Sequence, residues 1–212
     1  VDPKNERLHQ RNLQRLEGEV IRDSLLAISG QLDRSMEGGS VPTHLTSFMK
    51  GRGRPSKSGP MDGERRRSIY LAVRRNFLSP MMSVFDTPTP FSTMGRRNVS
   101  NVPAQALVML NDPFVREQAR LFAERAMREV PPGPKPGVEE WTPLSGDTTV
   151  DRRIDWMIWI ALGRPAKPSE LQSIRQYLAA WGQDTGATLE DVSLWANVAH
   201  AIVNTKEFIF VP

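Results

Sequence analysis

Apolar side chains fall at Leu8, Leu13, Leu16, Val20, Ile21, Leu25, Leu26, Ile28 and Leu32, mostly in steps of three and four. That is the period of a helix with one buried face, and it predicts a long amphipathic helix over about residues 5–36. Gly18 weakens it by about 1 kcal/mol relative to alanine, and "EGG" at 37–39 supplies a glycine for the end. Residues 50–63 are dominated by Gly, Pro, Ser and bases, the composition of a loop. In "RRRSIYLAVRRNF", Ile69, Leu71 and Val73 alternate with Ser68, Tyr70, Ala72 and Arg74, which is strand period. The expected partner of this strand is the C-terminal "EFIFVP".

Helical punctuation returns further on. One turn is expected at 80–85. Pro103 suits a first helical position, and Ala104, Leu107, Val108 and Leu110 are expected to pack. Asp112 followed by Pro113 is a second start signal, for a helix to about 129 that buries Phe114, Val115, Ala119, Phe122 and Ala126. A proline-rich linker spans 131–149, since four of "VPPGPKP" are proline. Three helices are predicted beyond it, at about 150–162, 169–184 and 189–205, the second opened by a capping box from Ser169 to Gln172. Trp156, Trp159, Trp181 and Trp195 lie in this part and read as core. The fold class is mainly α-helical: a long N-terminal helix, one small β element and a C-terminal three-helix unit. The division is 1–130, linker 131–149, and 150–212.

Composition narrows the chemistry. At 212 residues, 39% hydrophobic and 25% charged, the chain can bury a core and still carry long solvated segments. There is no cysteine, so thiolate catalysis, zinc–thiolate sites, disulfides and covalent c-type haem attachment have no residue to use in this chain. No apolar run reaches a membrane span, and the opening "VDPKNERLHQ" is not a signal peptide. It reads as an internal cut of a longer protein. The net charge of +4 is unevenly placed: nine bases and two acids lie between Lys50 and Arg75. Such a stretch fits phosphate, nucleic acid or an acidic glycan, or simply a solvated loop with a few arginines in salt bridges.

Among candidate groups, Glu19 and Asp23 stand one helical turn apart and repel unless something neutralises them. Arginine is the expected partner, with Arg15 and Arg22 close in sequence and Arg66, Arg67, Arg96 and Arg97 distant. Paired carboxylates could also act as acid and base. His9, His44 and His200 have no zinc-hydrolase spacing, and His200 reads as a core or rim residue. Met81 and Met82 read as packing rather than haem ligands. Nucleophile elbow, phosphate-binding loop and helix-turn-helix patterns are missing from the sequence. In 85–112, Pro103 and Asp112 have helix-starting roles, while Asp86, Arg96 and Arg97 have no local one.

Taken together, "RLEGEVIRDSLLAISGQLD", "RRRSIYLAVRRNFLSPMMSVFDTP", "GRRNVSNVPAQALVMLNDPFVREQA", "ALGRPAKPSE" and "NTKEFIFV" resemble a planctomycete-specific domain of unknown function. That domain is found C-terminal in large exported proteins with cytochrome-c-like domains upstream. The resemblance covers nearly the whole chain, which is similar to the later two-thirds of the domain. Glu19, Arg22, Asp23, Arg67, Tyr70, Arg75, Phe85, Asp86, Arg97, Gln105, Asn111 and Asp112 match its motifs; the histidines do not. The resemblance implies an exported, periplasmic setting, upstream domains of the same protein as partners, and haem only in those domains.

The first expectation is therefore a non-catalytic structural or interaction module, with no cofactor, metal or catalytic residue in this chain. Its ion-pair or ligand cluster is Glu19, Arg22, Asp23, Arg67, Asp86, Arg97, Gln105 and Asn111. The alternative is a domain that binds or acts on an acidic or sulfated glycan through Asp86, Glu19 or Asp23 with Arg67 and Arg97, since guanidinium matches sulfate and carboxylate by forked hydrogen bonds. A third, weaker reading is anion or nucleic-acid binding through Lys50–Arg75.

Overall fold

The computed structural model describes residues 13–90, 93–130 and 149–211. It is mainly helical with one small two-stranded β element. The chain enters through β1 (Gln14–Arg15) and α1 (Gly18–Ile28), followed by irregular chain with two short 3₁₀ turns at Gly63–Arg65 and Ser68–Tyr70. Next come α2 (Pro80–Val84), α3 (Pro103–Asn111) and α4 (Pro113–Glu129). The C-terminal part holds α5 (Thr149–Leu162), α6 (Pro168–Thr185), α7 (Val192–Val203), a short α8 (Lys206–Ile209) and β2 (Phe210–Val211). The predicted linker lies almost wholly outside the described residues.

The long first helix is corrected to eleven residues. Glu17 is extended, and Gly18 opens α1 instead of weakening its middle. A Cβ on Gly18 would stand 2.9 Å from the Cβ of Phe85, so the glycine lets α1 lie directly on α2. The helix stops at Ser29–Gly30, with Gly30 left-handed and the Gln31 N–H returning to Leu26 O at 2.8 Å, well before 37–39. Arg125 of α4 then caps its last turn, donating to Ala27 O and Ile28 O. Residues 5–12 of the predicted helix fall outside the described residues.

The predicted strand at 69–73 is also corrected. Ser68–Tyr70 is a 3₁₀ turn, Ile69 is 77% exposed, and only Leu71 forms a bridge, with Val41. The alternation is not kept: Ser68 is buried with its hydroxyl bonded, Ile69 and Val73 face out, and Tyr70, Leu71 and Ala72 are all half-buried. β2 pairs instead with β1, antiparallel, Gln14 opposite Val211 and Arg15 opposite Phe210.

Other boundaries hold better. Pro103 and Pro113 occupy first turns, and the Asp112 side chain accepts the Phe114 N–H at 2.8 Å. Phe114, Val115, Ala119, Phe122 and Ala126 are buried. In α3, however, Leu107 and Leu110 face solvent while Gln105 and Met109 point in. The α6 start is one residue earlier than Ser169: Pro168 takes the first turn and Glu170, not Gln172, accepts the Lys167 N–H. Trp156 and Trp195 join the core, while Trp159 and Trp181 lie at the surface. One apolar cluster runs from Ile21 of α1 through α4 to α5, α7 and Phe208, with α4 packed along α7. Among the described residues no helix is long and apolar enough to cross a membrane.

Candidate functional site

The sequence-predicted carboxylates meet arginines where α1 faces the 62–70 turns and the 84–105 segment. Arg22 sits near the middle of α1 with its side chain buried. Its guanidinium donates to Asp62 O (2.6 Å), Arg66 O (2.9 Å), Ser68 Oγ (3.1 Å) and Asp23 Oδ1 (3.2 Å), and lies over the Phe114 ring. Burial draws this guanidinium below its ordinary pKa, and Asp23 and Asp62 oppose that. Asp23 accepts the Ser68 N–H (2.8 Å) and hydroxyl (2.7 Å), which pulls the second 3₁₀ turn onto α1.

Glu19, one turn earlier, belongs to a different arginine. Arg97 Nη2 donates to Glu19 Oε2 at 2.7 Å, and its Nη1 lies 3.2 Å from Glu17 Oε2. Thr87 links them, accepting from Arg97 and donating to Glu19, both at 3.2 Å. Burial pushes the Glu19 carboxyl up, but the Arg97 hydrogen bond and charge, with backbone and Thr87 donors, outweigh it and hold the group below its ordinary value. The repulsion expected between Glu19 and Asp23 is thus relieved by two separate cations.

Asp86 forms the third knot. Arg15 Nη2 donates to it at 2.7 Å, as do the Ser100 N–H at 2.7 Å and the Ser100 hydroxyl. The Arg15 side chain is 4% exposed and lies over Phe85. Burial raises the Asp86 pKa, and the Ser100 donors with Arg15 and Arg97 overcome that to lower it. Asp86 also adopts φ +61°, uncommon for a residue with a side chain. Gln105 finishes the corner, its amide donating to Val84 O and Ser100 O.

The structure therefore joins Glu19, Arg22, Asp23, Asp86, Arg97 and Gln105, and leaves two candidates apart. Arg67 is exposed and has no side-chain partner among the described residues. Asn111 bonds to Leu107 O of its own helix. Tyr70 accepts the Glu37 N–H and stacks under Arg66, and Phe85 is core. His200 Nε2 lies 3.0 Å from Met109 O and His44 Nδ1 is 3.0 Å from Gly59 O, while His9 lies outside the described residues. Ser68, Thr87 and Ser100 carry the network yet were not foreseen. Their only sequence signal is a hydroxyl near a charged residue, which is too common to select them.

Two cavities adjoin these residues. A pocket of about 180 Å³ is walled by Glu19 and Arg22 with Thr43, Leu71, Met82 and Phe114. An open groove of about 900 Å³ runs past Asn111, Arg116, Asn197 and His200. Among the described residues no group of three or more His, Asp or Glu is placed to hold a metal ion.

A further set of buried charges begins α5. Asp151 holds Arg175, and Asp155 accepts the Ala166 N–H at 2.7 Å. Arg153, 1% exposed, lies over Trp195 and donates to Val130 O and Leu189 O, each at 3.2 Å. These groups tie helix ends and loops together within the fold.

Fold and site together define a helical domain whose corner is closed by arginine–carboxylate knots. The chain belongs to the family PSD1, described as a protein of unknown function (DUF1553), whose profile matches residues 1–178. No curated protein and no solved structure gives a significant match.

Proposed function

We propose that this chain is a non-catalytic structural and interaction module of a larger exported, periplasmic protein. One observation carries the reading: Glu19, Asp23 and Asp86 each engage an arginine together with hydroxyl or backbone donors of the fold itself. A general acid needs a carboxyl raised toward working pH, whereas Glu19 and Asp86 are displaced downward. The outward apolar face of α3, with Leu107 and Leu110 beside Val99 and Val102, offers a docking surface. The partners we propose for it are upstream domains of the same protein, cytochrome-c-like by family resemblance and carrying any haem. The test is a Leu107→Asp/Leu110→Asp variant of the chain mixed with the separately expressed remainder of the parent protein. Its thermal midpoint should stay near that of the unmodified chain while association is lost; undiminished association would defeat the reading.

A second reading has its own support in the pocket beside Glu19 and Arg22 and in the exposed guanidinium of Arg67, which has no side-chain partner among the described residues. It makes the chain a binder of an acidic or sulfated glycan. Selective binding of such a glycan on an array, abolished by Arg67→Ala, would favour it over the first.

A further inference from the structure

Residues 46–58 leave the body of the protein through a clamped neck. Gly59 N–H donates to Thr43 O at 3.0 Å, Leu45 N–H to Ser58 Oγ at 2.9 Å, and His44 Nδ1 meets Gly59 O. The two sides of the neck are so close that a Cβ on Gly59 would fall 1.8 Å from Pro42 O. The neck is itself fastened to the 70–72 segment: Val41 exchanges backbone hydrogen bonds with Tyr70 and Ala72, and the Thr43 hydroxyl donates to Ala72 O. The loop is thus a presented unit with closed ends, in the manner of an Ω-loop.

What it presents is unusual. Phe48 is 92% exposed, more than any other large apolar residue described. Lys50, Arg52, Arg54 and Lys57 follow within nine residues, and residues 46–58 contain no acid. All four bases are exposed, and none has a side-chain partner among the described residues. The neighbouring bases differ. Arg66 is folded back over Tyr70 and caps carbonyls of Ser35 and Glu37, and Arg65 faces Asp62. The charge excess of 50–75 therefore splits into a portion used by the fold and a portion that is not.

An exposed aromatic beside cations with no side-chain partner among the described residues is complementary to an anionic bilayer. Its headgroups attract the bases, each worth about fivefold in partitioning near such a surface, and its acyl boundary takes the ring, worth about tenfold or more on burial. Neither signal alone gives stable attachment, and the two together do. A nucleic-acid duplex or a sulfated polymer would use the cations and has less need of a ring held fully in water. We infer that the 46–58 loop is a peripheral membrane-docking element, with Phe48 entering the interface and Lys50, Arg52, Arg54 and Lys57 holding anionic headgroups.

The experiment is co-sedimentation of the full chain with vesicles of phosphatidylcholine, alone or mixed with phosphatidylglycerol. Binding is expected only to the mixed vesicles and should fall as salt rises. Phe48→Ala should weaken it about tenfold, and Arg52→Ser/Arg54→Ser about 25-fold. All three positions are exposed, so the fold is retained, which circular dichroism checks. The inference is overturned if the chain does not sediment with mixed vesicles at low salt, or if Phe48→Ala binds them as the unmodified chain does. Tighter binding to heparin or duplex DNA than to the vesicles, indifferent to Phe48→Ala, would overturn it in favour of a polymeric anion.

Discussion

Arg97 shows how a single side chain can hold two distant pieces of chain. It binds Glu19 and Glu17 at the start of α1 and reaches Thr87 and Phe85 O behind α2. Removing it leaves Glu19 half-buried and without its cation, so Arg97→Ala should lower stability by about 1–2 kcal/mol in urea unfolding. A double-mutant cycle with Glu19→Gln should recover much of that as coupling; a cost under about 0.5 kcal/mol would place Arg97 among ordinary surface residues. The same contacts set an acid limit. The carboxyls of Glu19 and Asp86 have folded-state pKa values below their ordinary ones. Their stabilisation is present above the unfolded carboxylate range, near pH 4 as an order of magnitude, and is lost as pH falls through the lowered values. Thermal midpoints measured from neutral to acid pH should therefore hold until about that range and then drop, and Glu19→Gln or Asp86→Asn should flatten the drop. Asparagine is the informative replacement at Asp86 because it tolerates the left-handed backbone there.

At the scale of elements, helices with explicit punctuation were legible: Pro103, Asp112 and Pro113 each sit where their chemistry placed them. Errors arose where tertiary contact decided. The period of Leu13, Leu16 and Val20 continues that of α1, yet Leu16 donates its N–H to Ile209 O and so lies beside β2. Nothing local announces a partner nearly two hundred residues away. The 69–73 alternation misled because Asp23 and Arg22 make burial of Ser68 favourable. The charged cluster was readable in its carboxylates and arginines, but which arginine met which acid was not, since Arg15 passes over nearby Glu19 for Asp86. Arg153 yields a prediction at this scale. Its donors close the end of α4 and the turn before α7, so Arg153→Met should cost about 2–3 kcal/mol despite the apolar replacement. Hydrogen exchange should show the loss of protection concentrated around 126–130 and 189–195.

Among the described residues one apolar cluster joins helices from both sides of 131–149, with α4 lying between α1 and α7. Burial on that pattern predicts a single cooperative unfolding transition. Tryptophan fluorescence reports from α5, α6 and α7, Trp141 in the 131–149 stretch apart, and circular dichroism from all helices. Their midpoints should coincide, whereas separated midpoints would divide the chain into two folding units on either side of 131–149. The two-residue ladder between β1 and β2 has a further consequence. Because Gln14 lies opposite Val211, the two sides of the fold are neighbours in space, and connection order becomes a free variable. A circular permutant of residues 14–211 that joins these strands through a short glycine link and opens between Gly51 and Arg52 should fold to the same architecture.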